Sequence, residues 1–293
     1  AKTHGVTKTL LAGKFAAGDL SRAIQETSMA LFAKGKFLMA VGAAAFVLFS
    51  SAAHAASCGN SAAGFEQWKQ DFAQKARAAG VQGRGLSALA GAKYATATIK
   101  ADRAVRKAFS GSVEDFMKRR GAAAIISKGR SLKKANASLF NKIESSYGVS
   151  PGVLLAIWGM ETGFGSFMGK QNTVSAIVTL AYDCRRPEFF TPHAIAALKL
   201  VDSGALSANS VGAMHGEIGH TQFLPGNVLA YGVGNKNLRD KATALASTAN
   251  FLRAHGWRPG VGAEGNMAAI AGWNSASVYQ QAIARIATAI DGN

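Results

Sequence analysis

Between Ser150-Pro151 and Gly163-Phe164-Gly165 the chain is almost wholly apolar, and Glu161 is the single charged residue in the stretch. Proline is favoured at the first position of a helix and glycine just past its end, so these boundaries frame an α-helix. Val153, Leu154, Ile157, Trp158 and Glu161 fall on one side of it. Such a segment has to be covered by neighbouring elements. With 293 residues, 48% hydrophobic and only five prolines, those neighbours are expected to be helices, since alanine-rich, proline-poor sequence favours helix over strand. The predicted fold class is mostly α.

Other helices follow from the same logic. Phe65, Trp68, Phe72 and Ala76 share a face over residues 65–79. Ser112 reads as an N-cap, with Glu114 and Asp115 in the first turn after it. One long helix is predicted over 123–147, ending at Gly148, and shorter ones over 173–182, 188–202, 240–255 and 275–290. No repeat, low-complexity tract or alternating strand pattern interrupts them.

The N-terminal residues read differently. Lys34 and Lys36 precede an apolar run from Phe37 to Phe49, and small residues follow, ending in Ala53-His54-Ala55. That layout is a secretory signal peptide over residues 29–55, starting at Met29, with residues 1–28 upstream of the true start. The run is short for a permanent membrane span. The formal charge of +17 favours polyanionic surroundings. Cleavage after Ala55 removes six basic and two acidic residues and leaves 27 against 14. A basic protein exported to the periplasm, with no nucleic-acid motif, is not expected to serve nucleic acid. In that oxidising compartment Cys58 and Cys184 suggest one disulfide. The rival is a lipid on Cys58, although Ala55-Ala56-Ser57 lacks the leucine that such a site usually has.

Chemistry can reside in four segments. Glu161 lies in the last turn of its apolar helix between Trp158 and Phe164, where desolvation and the negative end of the helix dipole both favour the protonated form. A general acid needs that property. Gly216-Glu217-Ile218-Gly219-His220-Thr221-Gln222-Phe223-Leu224-Pro225 offers close backbone approach, an amide at Gln222 and a second carboxylate at Glu217. His215 and His220 have no ligand set of convincing spacing, so no metal is expected. Arg185 and Arg186 sit beside Phe189 and Phe190 and suit carboxylates. Trp273 is a sugar-stacking candidate, and Asn274 or Ser275 a cap for the last helix.

In order along the chain, Tyr147-Gly148-Val149, Ile157-Trp158-Gly159-Met160-Glu161-Thr162-x-Phe164-Gly165, Met168-Gly169-Lys170, Gly219-x-Thr221-Gln222-Phe223-Leu224-Pro225, Ala249 to Trp257 and Trp273-Asn274-Ser275 resemble the lytic murein transglycosylases of the B type. The resemblance runs from about Phe65 to Ile290. It implies a lysozyme-like helical catalytic core, residues 151–293, behind an N-terminal helical extension, residues 56–150. It also implies peptidoglycan glycan strands as substrate and non-hydrolytic cleavage of the MurNAc-β-1,4-GlcNAc bond, with Glu161 as catalytic acid and then base. Gln222, Trp273 and Asn274 match substrate-site positions, and Arg185 and Arg186 match an arginine pair near peptide or muramyl carboxylates. No cofactor is implied, a monomer is expected, and protein partners would belong to wall remodelling.

The chain departs from the pattern in three places. Ala213 stands where a serine often supports the acid, and Glu217 where a small residue is common, which makes Glu217 the first suspect for holding Glu161. Gly234-Asn235-Lys236-Asn237-Leu238-Arg239-Asp240 replaces an acidic calcium loop, so no calcium is expected there. Two further readings stay open. One is a muramidase hydrolysing the same bond, with Glu217 or Asp183 as base; the other is a protein that grips wall glycan without cutting it.

Overall fold

The structure, a computed structural model, describes residues 57–104 and 109–292. The expected upstream extension (1–28) and signal peptide (29–55) lie outside the described residues. Thirteen α-helices occur among those described. Helix α1, Phe65–Ala78, buries Phe65, Trp68, Phe72 and Ala76, the face that the spacing predicts. Helices α2, Gly83–Gly91, and α3, Thr96–Ala104, were not anticipated, because two to three turns of alanine and glycine carry little periodic signal. Helix α4, Val113–Arg119, begins at Ser112, whose hydroxyl accepts from the Asp115 amide.

The predicted single helix over 123–147 is two, α5, Ala122–Ala135, and α6, Ala137–Tyr147. They break at Asn136, whose side-chain amide turns back to donate to the Leu132 carbonyl at 2.9 Å. Asparagine competes with helical hydrogen bonding in this way.

Helix α7, Pro151–Thr162, starts at the proline and stops at Gly163, which takes φ +56°. The sequence suggested one buried side, but every residue of α7 except Glu161 is buried. A helix apolar all round is a core helix. Helices α5 and α13, Ser277–Asp291, pack on it, with Ala282, Ile283, Ile286 and Ile290 of α13 buried.

Asn172 ends a two-residue strand, β1, Gln171–Asn172, and caps helix α8, Thr173–Tyr182, by accepting from the Ser175 amide. Strand β1 pairs antiparallel with β2, Val211–Gly212. Helix α9, Pro187–Ser203, packs along α8. Then come α10, Pro225–Tyr231, α11, Lys241–Ala254, capped by Asp240, and α12, Met267–Trp273. The last turn of α7, the loop from β2 to α10, helix α12 and the start of α13 meet at one end, and Glu161 lies there. No helix among the described residues is long and apolar enough to cross a membrane.

Candidate active site

Glu161, Ala213, Glu217, Gln222, Phe223, Leu224, Asn227, Trp273 and Asn274 line a cleft of about 380 Å³. Glu161 enters it from the C-terminal turn of α7, where Tyr279 of α13 donates its hydroxyl to Oε1 at 2.5 Å and Trp273 points its indole N–H at the same oxygen, 3.4 Å away. Burial pushes the Glu161 carboxyl above the usual carboxylate range; the hydrogen bonds from Tyr279 and Trp273 pull against it, and the charge of Glu217 adds to the rise. The same burial, with the neighbouring carboxylate, drives the Tyr279 phenol well above its ordinary value, so it remains a donor. Trp158 and Phe164, which stand on either side of the acid in the sequence, meet each other edge to face at 5.4 Å.

Trp273 is set by two further rings, Phe223 at 4.9 Å and Phe251 at 5.2 Å, both edge to face. Its indole is therefore oriented toward the acid, a role that composition alone did not suggest. Asn274 accepts from the Ala276 amide through Oδ1 and from Gln280 through its backbone carbonyl, which fixes the turn into α13.

The facing loop is a tight reversal. Ile218 and Phe223 exchange backbone hydrogen bonds at 2.8 and 3.1 Å. Gly219, at φ +74°, lies so close to Leu238 that a Cβ would sit 2.1 Å from its carbonyl oxygen, so only glycine fits. Gln222 takes φ +58° and donates its side-chain amide to the Gly219 carbonyl at 2.6 Å. Thr162, the neighbour of the acid, donates to the His220 carbonyl at 2.7 Å, and Trp158 donates to His220 Nδ1 at 3.1 Å. Burial holds His220 below its ordinary value, as suits an acceptor. These bonds clamp the Gln222 loop to the helix that carries Glu161.

A model of the family described as transglycosylase SLT domain matches residues 64–268. The chain belongs to that family. It is 35% identical over 127 residues to the membrane-bound lytic murein transglycosylase B of Escherichia coli strain K12; the match covers 41% of this chain and only 35% of that relative. Among solved structures, SltB3 of Pseudomonas aeruginosa in complex with NAG-anhNAM-pentapeptide superposes with a TM-score of 0.71 at 26% identity, covering 78% of this chain and 80% of that one. The E. coli lytic transglycosylase SLT35 in complex with bulgecin A shares the fold, with a TM-score of 0.68 at 21% identity over 76% of this chain and 92% of that one. The architecture is thus the lysozyme-like helical core expected from the resemblance.

In this SLT-domain chain the sequence-derived residues separate into two sets. Glu161, Glu217, Gln222, Trp273 and Asn274 converge on the cleft. Arg185 and Arg186 do not line it. Both turn onto Asp102 of α3, Arg186 at 2.6 Å from Oδ1, while Arg103 grips Asp183 with two bonds of 2.7 and 3.0 Å. Burial raises the Asp102 carboxyl, but hydrogen bonds and charge from Arg185 and Arg186 outweigh that and hold it below its ordinary value. Asp183, 1% exposed and bound to Arg103, is in no position to serve as a base.

Glu217 does not hold Glu161. The bonds to the acid come from Tyr279 and Trp273, and Glu217 acts on it through charge. Tyr279 is the residue that sequence reasoning missed; the signal was a tyrosine on the buried face of the last helix, whose hydroxyl needs a partner. Cys58 and Cys184 form a disulfide that ties residue 58 to the turn between α8 and α9. A sulfur so used cannot also carry a lipid thioether. In the 234–240 loop, Asp240 caps α11 by accepting from Thr243, and Asn235 and Asn237 accept from backbone amides. Among the described residues no group of three or more His, Cys, Asp or Glu is arranged to hold a metal ion.

Proposed function

We propose that the protein is a periplasmic peptidoglycan lytic transglycosylase that cleaves the MurNAc-β-1,4-GlcNAc bond of glycan strands and leaves 1,6-anhydro-MurNAc ends. The observation that carries this reading is the Glu161 carboxyl lining the cleft, pushed by desolvation above the usual carboxylate range and hydrogen-bonded by two neutral donors, Tyr279 and Trp273. Family membership supports it, as does the likeness to a neighbour crystallised with NAG-anhNAM-pentapeptide.

In this mechanism the Glu161 carboxylic acid protonates the glycosidic oxygen as the bond to C1 breaks. The N-acetyl oxygen of MurNAc closes on C1. The Glu161 carboxylate then takes the proton of the C6 hydroxyl, whose oxygen displaces the N-acetyl oxygen and closes the anhydro ring. The acid is regenerated and no water is consumed. One group serving both proton transfers works best with its pKa near the ambient pH. Burial and Glu217 push Glu161 toward that condition from below, and Tyr279 limits the rise.

Gln222 and Asn274 bind sugar amides and hydroxyls in this scheme, and Trp273 orients the acid. Residues 56–150 provide the helical extension and residues 151–293 the catalytic core. Arg185 and Arg186 serve to pin α3 through Asp102, in place of the carboxylate recognition expected from the resemblance. The signal peptide, the monomeric state and partners in wall remodelling belong to the same proposal. Digestion of purified sacculi tests it: soluble muropeptides with anhydro ends are expected from wild type and none from Glu161→Gln.

A further inference from the structure

The wall of the cleft that carries Ala213 and Glu217 has its own support. Ala213 and Glu217 are joined through the backbone, the Ala213 amide donating to the Glu217 carbonyl at 3.0 Å, so the two side chains share one end of the cleft. With only a methyl at 213, the longer side chain at 217 reaches into the space. His215 secures it: its backbone N–H donates to Glu217 Oε2 at 3.0 Å, and its ring Nδ1 stands 3.4 Å from Oε1. The other ring nitrogen, Nε2, is buried without a hydrogen bond and faces Asp102 Oδ1 at 3.6 Å. Asp102 is 2% exposed and locked by Arg185, Arg186 and Arg103. A carboxylate, an imidazole and a second carboxylate thus run in line from the protein interior to the cleft.

We propose that His215, anchored on Asp102, fixes Glu217 as the electrostatic wall of the cleft, its negative charge facing the positive charge that develops at C1 and the N-acetyl group of the scissile sugar. The inference rests on the reading of Glu161 as the acid and base of the reaction. A fixed charge aimed at developing charge of opposite sign accelerates a reaction without reorganising. Glu217 transfers no proton in this scheme. Its charge also raises the Glu161 carboxyl. The groups acting on Glu161 are Tyr279 from α13, Trp273 from α12, Glu217 from the loop and Arg120 from the end of α4. Those acting on His215 are Glu217, Asp102 and Arg186; burial lowers its pKa most, but the two carboxylates outweigh burial and hold it above its ordinary value.

The test compares wild type, Glu217→Gln, His215→Gln and Glu161→Gln on purified sacculi and on soluble glycan strands, with pH profiles and a direct NMR titration of the Glu161 carboxyl. Glu217→Gln is expected to lower kcat by about ten- to a hundredfold with KM little changed, and to move both the basic limb of the profile and the titration of Glu161 to lower pH. His215→Gln, which frees the Glu217 side chain, should lower kcat by less than Glu217→Gln, and Glu217→Asp should restore part of kcat. An unchanged kcat with an unchanged Glu161 titration in a folded Glu217→Gln variant overturns the inference. Reducing-end products from wild type that disappear in Glu217→Gln overturn it too, since Glu217 would then be a hydrolytic base. If Glu161→Gln keeps full activity, it is the reading of Glu161 that fails; if that variant is inactive while Glu217→Gln matches wild type, only the role of Glu217 fails.

Discussion

The two walls around Glu161 treat the same carboxyl in opposite ways. The α12–α13 wall gives it neutral donors, Tyr279 at 2.5 Å and Trp273 at 3.4 Å, which favour the carboxylate. The loop wall gives it a like charge, Glu217, which favours the acid. Burial sets the dominant upward shift and the walls adjust it from either side. The lesson is that a carboxyl serving first as acid and then as base needs both pulls, since either wall alone biases it toward one half of the reaction.

The largest effect is expected from removing the group on which both walls act. Glu161→Gln should cut turnover by roughly three orders of magnitude, measured as release of soluble muropeptide. It should also change stability with a defined sign. A carboxyl whose folded pKa is raised costs stability as pH climbs from the ordinary glutamate range through the folded value, and nothing below that range. Glu161→Gln is therefore expected to raise Tm at pH 7 and to leave it unchanged at pH 3.

Breaking the α13 wall comes next. Tyr279→Phe removes a hydrogen bond to the charged form, which is worth about 1.5–3 kcal/mol in general, so kcat should fall by roughly tenfold or more while the basic limb of the pH profile moves upward. That direction is opposite to the one expected for Glu217→Gln, and profiles shifting the same way in both variants would collapse the comparison. Trp273→Phe should shift the limb upward by less than Tyr279→Phe, because its N–H is 3.4 Å from Glu161 and a phenyl ring retains contacts with Phe223 and Phe251.

The smallest effect on catalysis should come from a change remote from both walls. Cys58→Ser opens the disulfide to Cys184, which closes a loop of 126 residues. It is expected to lower stability by about 2–4 kcal/mol, read by denaturant unfolding, with kcat unchanged.

How much of this was legible in the sequence differs between the walls. Helix α7 and its acid were readable because Pro151 and Gly163 frame an apolar run, although its burial on every side was not. The Gly219–Gln222 turn was visible as a glycine cluster, though not the clamp that Thr162 and His220 make. Tyr279 was invisible as a partner of Glu161, since contacts 118 residues apart leave no local pattern. The same holds for Asp102, which takes up Arg185 and Arg186 from 83 and 84 residues away and so alters what those arginines do. Short helices such as α2 and α12 were missed because too few turns show their face. Asn136 split a helix that the apolar pattern carried straight through.

The central claim is that Glu161 performs both proton transfers without water. Mass spectrometry of the soluble products from purified sacculi tests it most directly. The account predicts muropeptides ending in 1,6-anhydro-MurNAc, one water lighter than the hydrolytic products and not reducible by borohydride; a product pool ending in reducible MurNAc would contradict it.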